Sequence, residues 1–204
     1  MAGKLLDKVY GAKCTDETRA LYDDWAASYD AEIAENGYAT PRRCAEALAG
    51  FAADKSALVL DFGCGTGLSG LALRAAGCDV IDGLDLSENM LDQARAKGIY
   101  RSLDLIGPDD PLPFAPGAYA AIAAIGVIGV GAAPLDTFDL LMNGLGRGGL
   151  FVFSFNDHAL QHPEYDARVN AWVDPGAARL LFREHGDHLP GKNIKSMVYV
   201  IEKN

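Results

Sequence analysis

The amino-acid sequence predicts an α/β fold: a doubly wound, mostly parallel sheet that ends in an antiparallel β-hairpin. The chain has 204 residues, which suits one large α/β domain or at most two small ones. Short apolar runs alternate with helical stretches, the pattern of parallel strands joined by right-handed crossovers. Near the end of the chain, two strand-like segments are separated only by a loop that contains glycine and proline. Segments joined in this way form a hairpin, so the sheet is predicted to be mixed.

Seven strands are predicted, the first of them from a short apolar run that is typical of a buried parallel strand. They are 57–62, 79–84, 99–103, 118–125, 150–155, 179–184 and 194–201. Helices are predicted at 68–76, at 135–145 and from the cap residue Ser87 to about residue 97. Each is followed by a glycine that can end a helix: Gly77, Gly146 and Gly98 respectively.

Two further helices are predicted ahead of the first strand. Apolar residues recur every fourth position as one helix face, at Leu21, Trp25, Tyr29 and Ile33. Thr40 as N-cap and Pro41 at the first helical position predict the start of the second helix. Its buried side is predicted to carry Cys44, Leu48 and Phe51.

Composition excludes several classes of protein. The formal charge is −10 and no window concentrates Lys and Arg, so binding to duplex DNA is disfavoured, although a local contact with RNA or protein stays open. The four cysteines form no C-x-x-C pair, so we expect no metal site and free thiols in the cytoplasm. The first residues do not form a signal peptide. Segment 111–135 has no charge, but prolines and glycines interrupt it, which favours a buried strand over a membrane span.

The glycine-rich loop is the main functional signal. The sequence Asp61-Phe62-Gly63-Cys64-Gly65-Thr66-Gly67 runs from a predicted strand into a predicted helix. Glycines permit positive φ angles and let a ligand approach the backbone. Asp85 ends the next strand, 18 residues after Gly67, where a carboxylate can accept hydrogen bonds from both ribose hydroxyls. The two features together predict a nucleoside cofactor at the carboxyl ends of the strands.

Two nucleoside cofactors fit this pattern. The residues Gly65, Gly67 and Gly70 form a G-x-G-x-x-G with Asp85 20 residues after Gly65, which also matches a dinucleotide fingerprint. An NAD-dependent oxidoreductase is therefore one alternative. Against it, Asp61 is poorly placed beside a pyrophosphate but well placed near an ammonium group. The terminal hairpin also does not belong to the second half of a dinucleotide fold.

These residues resemble the class I S-adenosylmethionine-dependent methyltransferases over about residues 15–201. The loop 61–67 resembles the first motif of that family, and segment 85–91 (DLSENML) resembles the second. Asp104-Leu105 ahead of the LPF at 112–114 resembles the segment after the third strand, and Gly148-Gly149 before the fifth strand is also typical. Segment 21–30 is similar to the small-molecule branch: the Williams–Beuren-region methyltransferase-like proteins and, more loosely, the ubiquinone-pathway C-methyltransferases.

The resemblance implies a Rossmann-like seven-stranded mixed sheet of order 3-2-1-4-5-7-6 with helices on both faces. It implies one domain over residues 1–204, in which 1–53 form a lid of N-terminal helices and 54–204 form the core. The expected cofactor is S-adenosylmethionine, with S-adenosylhomocysteine as product. The expected acceptor is a small molecule, methylated in the cytoplasm by in-line displacement, with no DNA partner and no membrane span. A cofactor-binding protein without catalysis is a further alternative.

The resemblance also implies roles for individual residues around the cofactor. Those expected at its methionine part are Asp61, Gly63, Cys64, Gly65 and Gly67, with Asp61 near the ammonium through water. Those expected at its nucleoside are Asp85 on the ribose, Leu86, Met90 and Leu105 around the adenine, and Asp104 on the exocyclic amine. Those expected around the methyl group and the pocket mouth are Ile125, Gly126, Tyr22 and Tyr29. No catalytic base is evident, and the candidates for contact with the acceptor are Tyr22, Asn156 and His158.

Overall fold

The computed structural model describes residues 15–108 and 110–204, without the side chains of residues 15–20, 22, 24, 25 and 27. The predictions for Cys14 and for the side chains of Tyr22 and Trp25 therefore lie outside the described residues. The strands are β1 (Leu58–Phe62), β2 (Val80–Asp85), β3 (Ser102–Leu105), β4 (Ala121–Ala124), β5 (Leu150–Asn156), β6 (Ala178–Leu189) and β7 (Ile194–Lys203). The helices are α1 (Thr15–Glu35), α2 (Thr40–Phe51), α3 (Leu68–Ala75), α4 (Glu88–Lys97), α5 (Asp136–Gly144), α6 (Asp157–Leu160) and α7 (Pro163–Val173).

The strands form one seven-stranded sheet in the order β3-β2-β1-β4-β5-β7-β6. The first five strands in that order pair in parallel. Strand β7 is antiparallel to both β5 and β6. This confirms the predicted mixed sheet with its terminal hairpin. The strand order reverses between β1 and β4, which is where ligands of open α/β sheets bind.

Alternate residues of the central strands point to opposite faces of the sheet, so the core has two halves. On one face Leu60, Ile122 and Phe153 pack with residues of α5 and α7. On the other face Val59, Ala123 and Val152 pack with residues of α2 and α3. Helices therefore cover both faces. The charge-free segment 111–135 contains β4, whose four residues are all buried, and no helix in the described part of the chain has the length and apolarity to cross a membrane.

The hairpin is longer than predicted. Strand β6 extends to Leu189 rather than to residue 184, and a 3₁₀ turn (Pro190–Lys192) joins it to β7. As the outer strand it is mostly exposed, and the pairing register shifts twice along it. An exposed edge strand needs no apolar run, so the hydrophobic pattern could not show where β6 ends.

Four local predictions need correction. Strand β3 begins at Ser102 rather than at residue 99, and β4 is shorter than 118–125.

Thr40 is not the N-cap of α2, because Ala39 occupies that position without a side-chain cap. The Thr40 hydroxyl instead bonds the His188 ring and Ser196, at 2.8 Å and 2.9 Å, since buried polar groups require hydrogen-bond partners. Phe51 does not face the core and is 41% exposed.

Candidate active site

A cleft opens at the carboxyl ends of β1, β2 and β4, where the strand order reverses. Its wall is formed by the glycine loop, the start of α3, the loop after β3 and the segment between β4 and α5. The lining residues are Tyr29, Tyr38, Pro41, Phe62, Gly63, Cys64, Gly65, Thr66, Leu68, Ser69, Asp85, Leu86, Met90, Ile106, Gly107, Pro108, Ile125, Gly126, Val127, Ala132, Ala133, Pro134 and Thr137. The structure thus brings most of the predicted cofactor residues together in one wall.

Asp85 is held rigidly at the end of β2. Its Oδ2 accepts the backbone N–H of Gly65 at 2.8 Å, and its Oδ1 accepts that of Ser87 at 3.0 Å. Burial raises the pKa of Asp85, and these two backbone hydrogen bonds oppose the rise. An ionised carboxylate has about four acceptor sites. Backbone hydrogen bonds from Gly65, Ser87 and Leu86 act on this carboxylate, and its remaining acceptor capacity can serve a vicinal diol such as the 2′- and 3′-hydroxyls of a ribose.

The glycine loop passes under the cleft with unusual backbone angles. Gly63 and Gly65 have φ of +69° and +53°, and both line the cleft. A Cβ at position 63 would lie 2.5 Å from Val127 Cγ2, so the loop needs glycine there for both conformation and space. Gly67 also has a positive φ, but it starts α3 and does not line the cleft.

Asp61 lies behind the glycine loop and is fully buried. Its Oδ2 accepts hydrogen bonds from Ser69 Oγ at 2.6 Å and from Tyr100 OH at 2.7 Å. Its Oδ1 is buried and has no partner among the described residues. Burial raises the pKa of Asp61 to about 6, against the two side-chain hydrogen bonds. Ser69, which bonds Oδ2, lines the cleft, so Asp61 lies one side chain behind the wall. Its unpartnered Oδ1 requires a donor, which a water or an ammonium group could supply.

The far end of the cleft is formed by Gly126, after β4, and by Tyr38, which precedes α2. A Cβ at position 126 would lie 2.5 Å from the Tyr38 hydroxyl. Tyr38 packs edge-on against the ring of His188, with 5.2 Å between centroids. Burial lowers the pKa of His188 to about 4, so Tyr38 rests on a neutral imidazole. Ile125 and Gly126 line the cleft as expected.

Helix α1 is joined to the cleft by two of its carboxylates. Asp30 accepts from Thr66 Oγ1 at 2.5 Å and pairs with Lys97 Nζ at 2.7 Å. Asp23 accepts from the hydroxyl of Ser87. Tyr29 of the same helix lines the cleft.

Four further predicted site residues do not line the cleft. Asp104 and Leu105 are exposed, and the next residue, Ile106, occupies the wall instead. Their assigned contacts with an adenine therefore stay predictions. Asn156 does not point its amide into the cleft, because its Oδ1 caps α6 by accepting from Ala159 N at 3.0 Å. His158 is exposed on α6 and is also absent from the wall.

Motifs in the sequence did not reveal the parts of the wall that come from loops. Tyr38 and Pro41 at the start of α2, and several residues between Val127 and Thr137, line the cleft without belonging to a motif. The run of glycines and prolines after β4 was the sequence signal for a loop in this part of the wall, because it ruled out a continuous helix or strand there.

Cys64 and Gly70 have structural rather than chemical roles at this site. Burial raises the pKa of the Cys64 thiol well above its ordinary value, so this residue of the wall is unreactive. Gly70 does not line the cleft. A Cβ there would lie 2.3 Å from the Tyr100 hydroxyl, so this glycine makes room for Tyr100. Among the described residues no group of His, Cys, Asp and Glu is arranged to hold a metal ion.

Comparisons with known proteins agree on the type of domain. Residues 59–149 match the family model of a methyltransferase domain. The chain is 39% identical to human methyltransferase-like protein 27 over 120 residues, 57% of this chain and 49% of that one. It is 32% identical to the 18S rRNA (guanine(1575)-N(7))-methyltransferase of Saccharomyces cerevisiae over 124 residues, 55% of this chain and 42% of that one.

The fold is shared with solved methyltransferases. One of them was solved in complex with the Trm112 methyltransferase activator of Haloferax volcanii. It superposes with a TM-score of 0.67 at 18% identity, covering 89% of this chain and 97% of that one. The matches to the curated relatives span half of their length or less.

Proposed function

We propose that this chain, which belongs to the class I S-adenosylmethionine-dependent methyltransferases, transfers a methyl group to a small, uncharged acceptor. The observation that carries the proposal is the composition of the cleft wall. Asp85 is the only charged side chain among the lining residues that the structure describes, and no Lys, Arg or His is among them. The protein side chains of this wall offer an anionic acceptor no counter-charge, and burying an anion away from protein cations is costly.

The charge of the chain argues against an RNA acceptor, although two relatives are named as rRNA methyltransferases. Nucleic-acid binding depends on neutralising phosphates with Lys and Arg. This chain has a net charge of −10, and the wall that would receive the nucleotide has no cation among its described side chains. A neutral aromatic or aliphatic molecule suits the apolar part of the wall, which Tyr38, Val127 and Pro134 help to form.

We assign cofactor binding to the glycine loop and to two aspartates. S-adenosylmethionine supplies a methyl group that its sulfonium has already activated. The glycine loop passes beneath the methionine part, Asp85 holds the ribose, and Asp61 attracts the ammonium from behind the loop. Gly126 and Tyr38 mark the acceptor end. The apolar wall excludes water and aligns the acceptor, and alignment of this kind accounts for several kcal/mol of a reaction barrier.

Within the segment 1–53 that was expected to form a lid, we assign that role to helix α1 alone, because α2 packs against the sheet as part of the core. The support comes from the described part of α1, where Asp30 bonds Thr66 of the glycine loop and Asp23 bonds Ser87. We also propose that the chain acts in the cytoplasm. Cys44, Cys64 and Cys78 are buried free thiols that form no disulfide, which suits a reducing compartment.

The test uses S-adenosylmethionine labelled with tritium on its methyl group. The protein is incubated with a cell extract that has been separated into small molecules, protein and RNA. We expect label in a small-molecule product that chromatography separates from unreacted S-adenosylmethionine, and no labelled product when Asp85 is replaced by alanine. Label confined to RNA or protein would overturn the small acceptor. Tight cofactor binding with no transfer to any fraction would overturn catalysis and support a cofactor-binding protein.

A further inference from the structure

Tyr100 occupies a slot bordered by three glycines. The residue lies just before β3, and its ring packs against Gly67, Gly70 and Gly83. A Cβ would lie 3.2 Å from the ring at position 67, 2.3 Å from the hydroxyl at position 70 and 3.2 Å from the ring at position 83. Real Cβ contacts are rarely so short, so Gly67 and Gly70 leave space for the tyrosine side chain. Gly83 leaves space first for Leu103 Cδ2 and Cys64 Sγ, at 2.6 Å and 2.9 Å, and then for the tyrosine ring.

The slot directs the Tyr100 hydroxyl to Asp61. The hydroxyl donates to Asp61 Oδ2 at 2.7 Å, and Ser69 donates to the same oxygen at 2.6 Å. Two donors on one oxygen fix the rotation of the carboxylate. They also leave the other oxygen, Oδ1, buried and without a partner among the described residues. A buried acceptor of this kind is costly unless a ligand or water supplies a donor.

We propose that Tyr100 is a positioning residue for cofactor recognition: by holding Asp61 Oδ2, it presents Oδ1 to the ammonium of the methionine part. The inference rests on the proposed function, since it assumes that the cleft holds S-adenosylmethionine. It gives a role to the glycines at positions 70 and 83, neither of which lines the cleft. It also restricts the effect of Tyr100 to the amino-acid half of the cofactor.

Two ligands separate that effect from a general loss of structure. S-adenosylhomocysteine carries the ammonium, whereas 5′-methylthioadenosine has the same nucleoside and thioether but lacks the amino-acid part. Calorimetry on the whole chain measures both affinities. We expect Tyr100→Phe to weaken binding of S-adenosylhomocysteine about tenfold, the effect of losing one hydrogen bond to a charged group. Binding of 5′-methylthioadenosine is expected to stay unchanged.

Tyr119→Phe is the matched control. The Tyr119 hydroxyl donates to Asp82 Oδ2 at 3.0 Å, so this variant also removes a bond from a tyrosine to an aspartate of the parallel sheet. Neither Tyr119 nor Asp82 lines the cleft. We expect the ratio of the two affinities in Tyr119→Phe to equal that of the unmodified protein.

Two further measurements test the role of Tyr100 if the Tyr100→Phe protein is too unstable to study. The Cβ added by Gly70→Ala would displace the Tyr100 hydroxyl. We expect this variant to lower the affinity for S-adenosylhomocysteine but not the affinity for 5′-methylthioadenosine. The pH midpoint of S-adenosylhomocysteine binding should also rise in either variant, because Asp61 loses a donor that favours its charged form. The charged or titratable groups that face Asp61 are Tyr100, Asp85, Cys64 and Cys44, and the last three are unchanged in both variants.

The outcomes are distinct. The role of Tyr100 is overturned if the ratio of the affinities for S-adenosylhomocysteine and 5′-methylthioadenosine is unchanged in both Tyr100→Phe and Gly70→Ala. It is also overturned if Tyr119→Phe changes that ratio as much as Tyr100→Phe does. Failure of the unmodified protein to bind either ligand would instead overturn the cofactor site itself, and with it the proposed function.

Discussion

Gly65 donates its backbone N–H to Asp85 Oδ2 across 2.8 Å, and this bond ties the glycine loop to the end of β2. The second oxygen of Asp85 accepts from Ser87, whose own hydroxyl caps α4 by accepting from Met90 N. The loop, the strand and the helix that surround the nucleoside site are therefore one hydrogen-bonded unit. Asp85 therefore shapes the cleft, and in the proposed function it also supplies acceptors to the ribose.

Replacing Asp85 by alanine should abolish most of the cofactor affinity. The variant loses the acceptors for two ribose hydroxyls and the bond that holds Gly65, so we expect affinity to fall about a hundredfold or more. Both S-adenosylhomocysteine and 5′-methylthioadenosine should be affected, since the ribose is common to them. Asp92→Ala removes an exposed carboxylate of α4 and serves as control. Retention of affinity by Asp85→Ala would contradict the assignment.

Cofactor binding should weaken as pH falls below about 6. Burial raises the pKa of Asp61 to about 6, so the carboxylate is ionised and attracts an ammonium above that pH and is neutral below it. Titration calorimetry with S-adenosylhomocysteine between pH 5 and 8 in the unmodified protein measures this dependence. Asp61→Asn should bind weakly at every pH, with no inflection near 6. A profile that keeps its inflection in Asp61→Asn would assign the titration to another group.

Loosening helix α1 should speed release of the cofactor. Asp30→Asn removes the charge that pairs with Lys97 at 2.7 Å and weakens the bond from Thr66. Because Asp30 is partly exposed, we expect a modest effect, with dissociation about three- to fivefold faster by stopped-flow fluorescence. Glu32→Gln is the control, since Glu32 accepts from Ser28 within the same helix. Equal release rates in both variants would remove support for a lid.

Local sequence signals predicted the turn of the glycine loop and the cap of α4. The glycine loop needs positive φ at Gly63 and Gly65, and Ser87 caps its helix through its own hydroxyl. Both are short-range requirements that leave a mark in the sequence. The strand order followed from the resemblance to a family, and the structure confirms it. Spacing alone could not supply that order, because the alternation of strands and helices fits several sheets.

Long-range contacts account for what the sequence could not predict. Thr40 bonds His188 and Ser196, which are 148 and 156 residues away, so its apparent role as a helix cap was misleading. The packing of Tyr38 on His188 likewise joins distant segments. Asn156 and His158 follow β5 closely enough to be candidates for the cleft, but the short helix α6 uses the Asn156 amide as its cap.

Two buried groups should give the folded protein opposing dependences on pH. Burial lowers the pKa of His188 from 6.5 to about 4, so the unfolded chain takes up this proton first as pH falls. Its contribution to stability is present above pH 6.5 and is lost as pH falls towards 4. Burial raises the pKa of Asp61 from 3.8 to about 6. Its contribution is present below pH 3.8 and is lost as pH rises through 6.

Each pKa shift changes the free energy of unfolding by about 3 kcal/mol. Because the two changes have opposite signs, they nearly cancel between pH 4 and 6.5. A variant that lacks one of the two groups should therefore show the pH dependence of stability that the other group causes. Relative to the unmodified protein, His188→Gln should lose stability as pH rises from 4 to 6.5, and Asp61→Asn should gain it. Urea unfolding at pH 4.5 and 6.5 measures the difference, and the groups common to all three proteins, such as Asp82 and Asp157, drop out. Parallel curves for the three proteins would show that neither group titrates in this range.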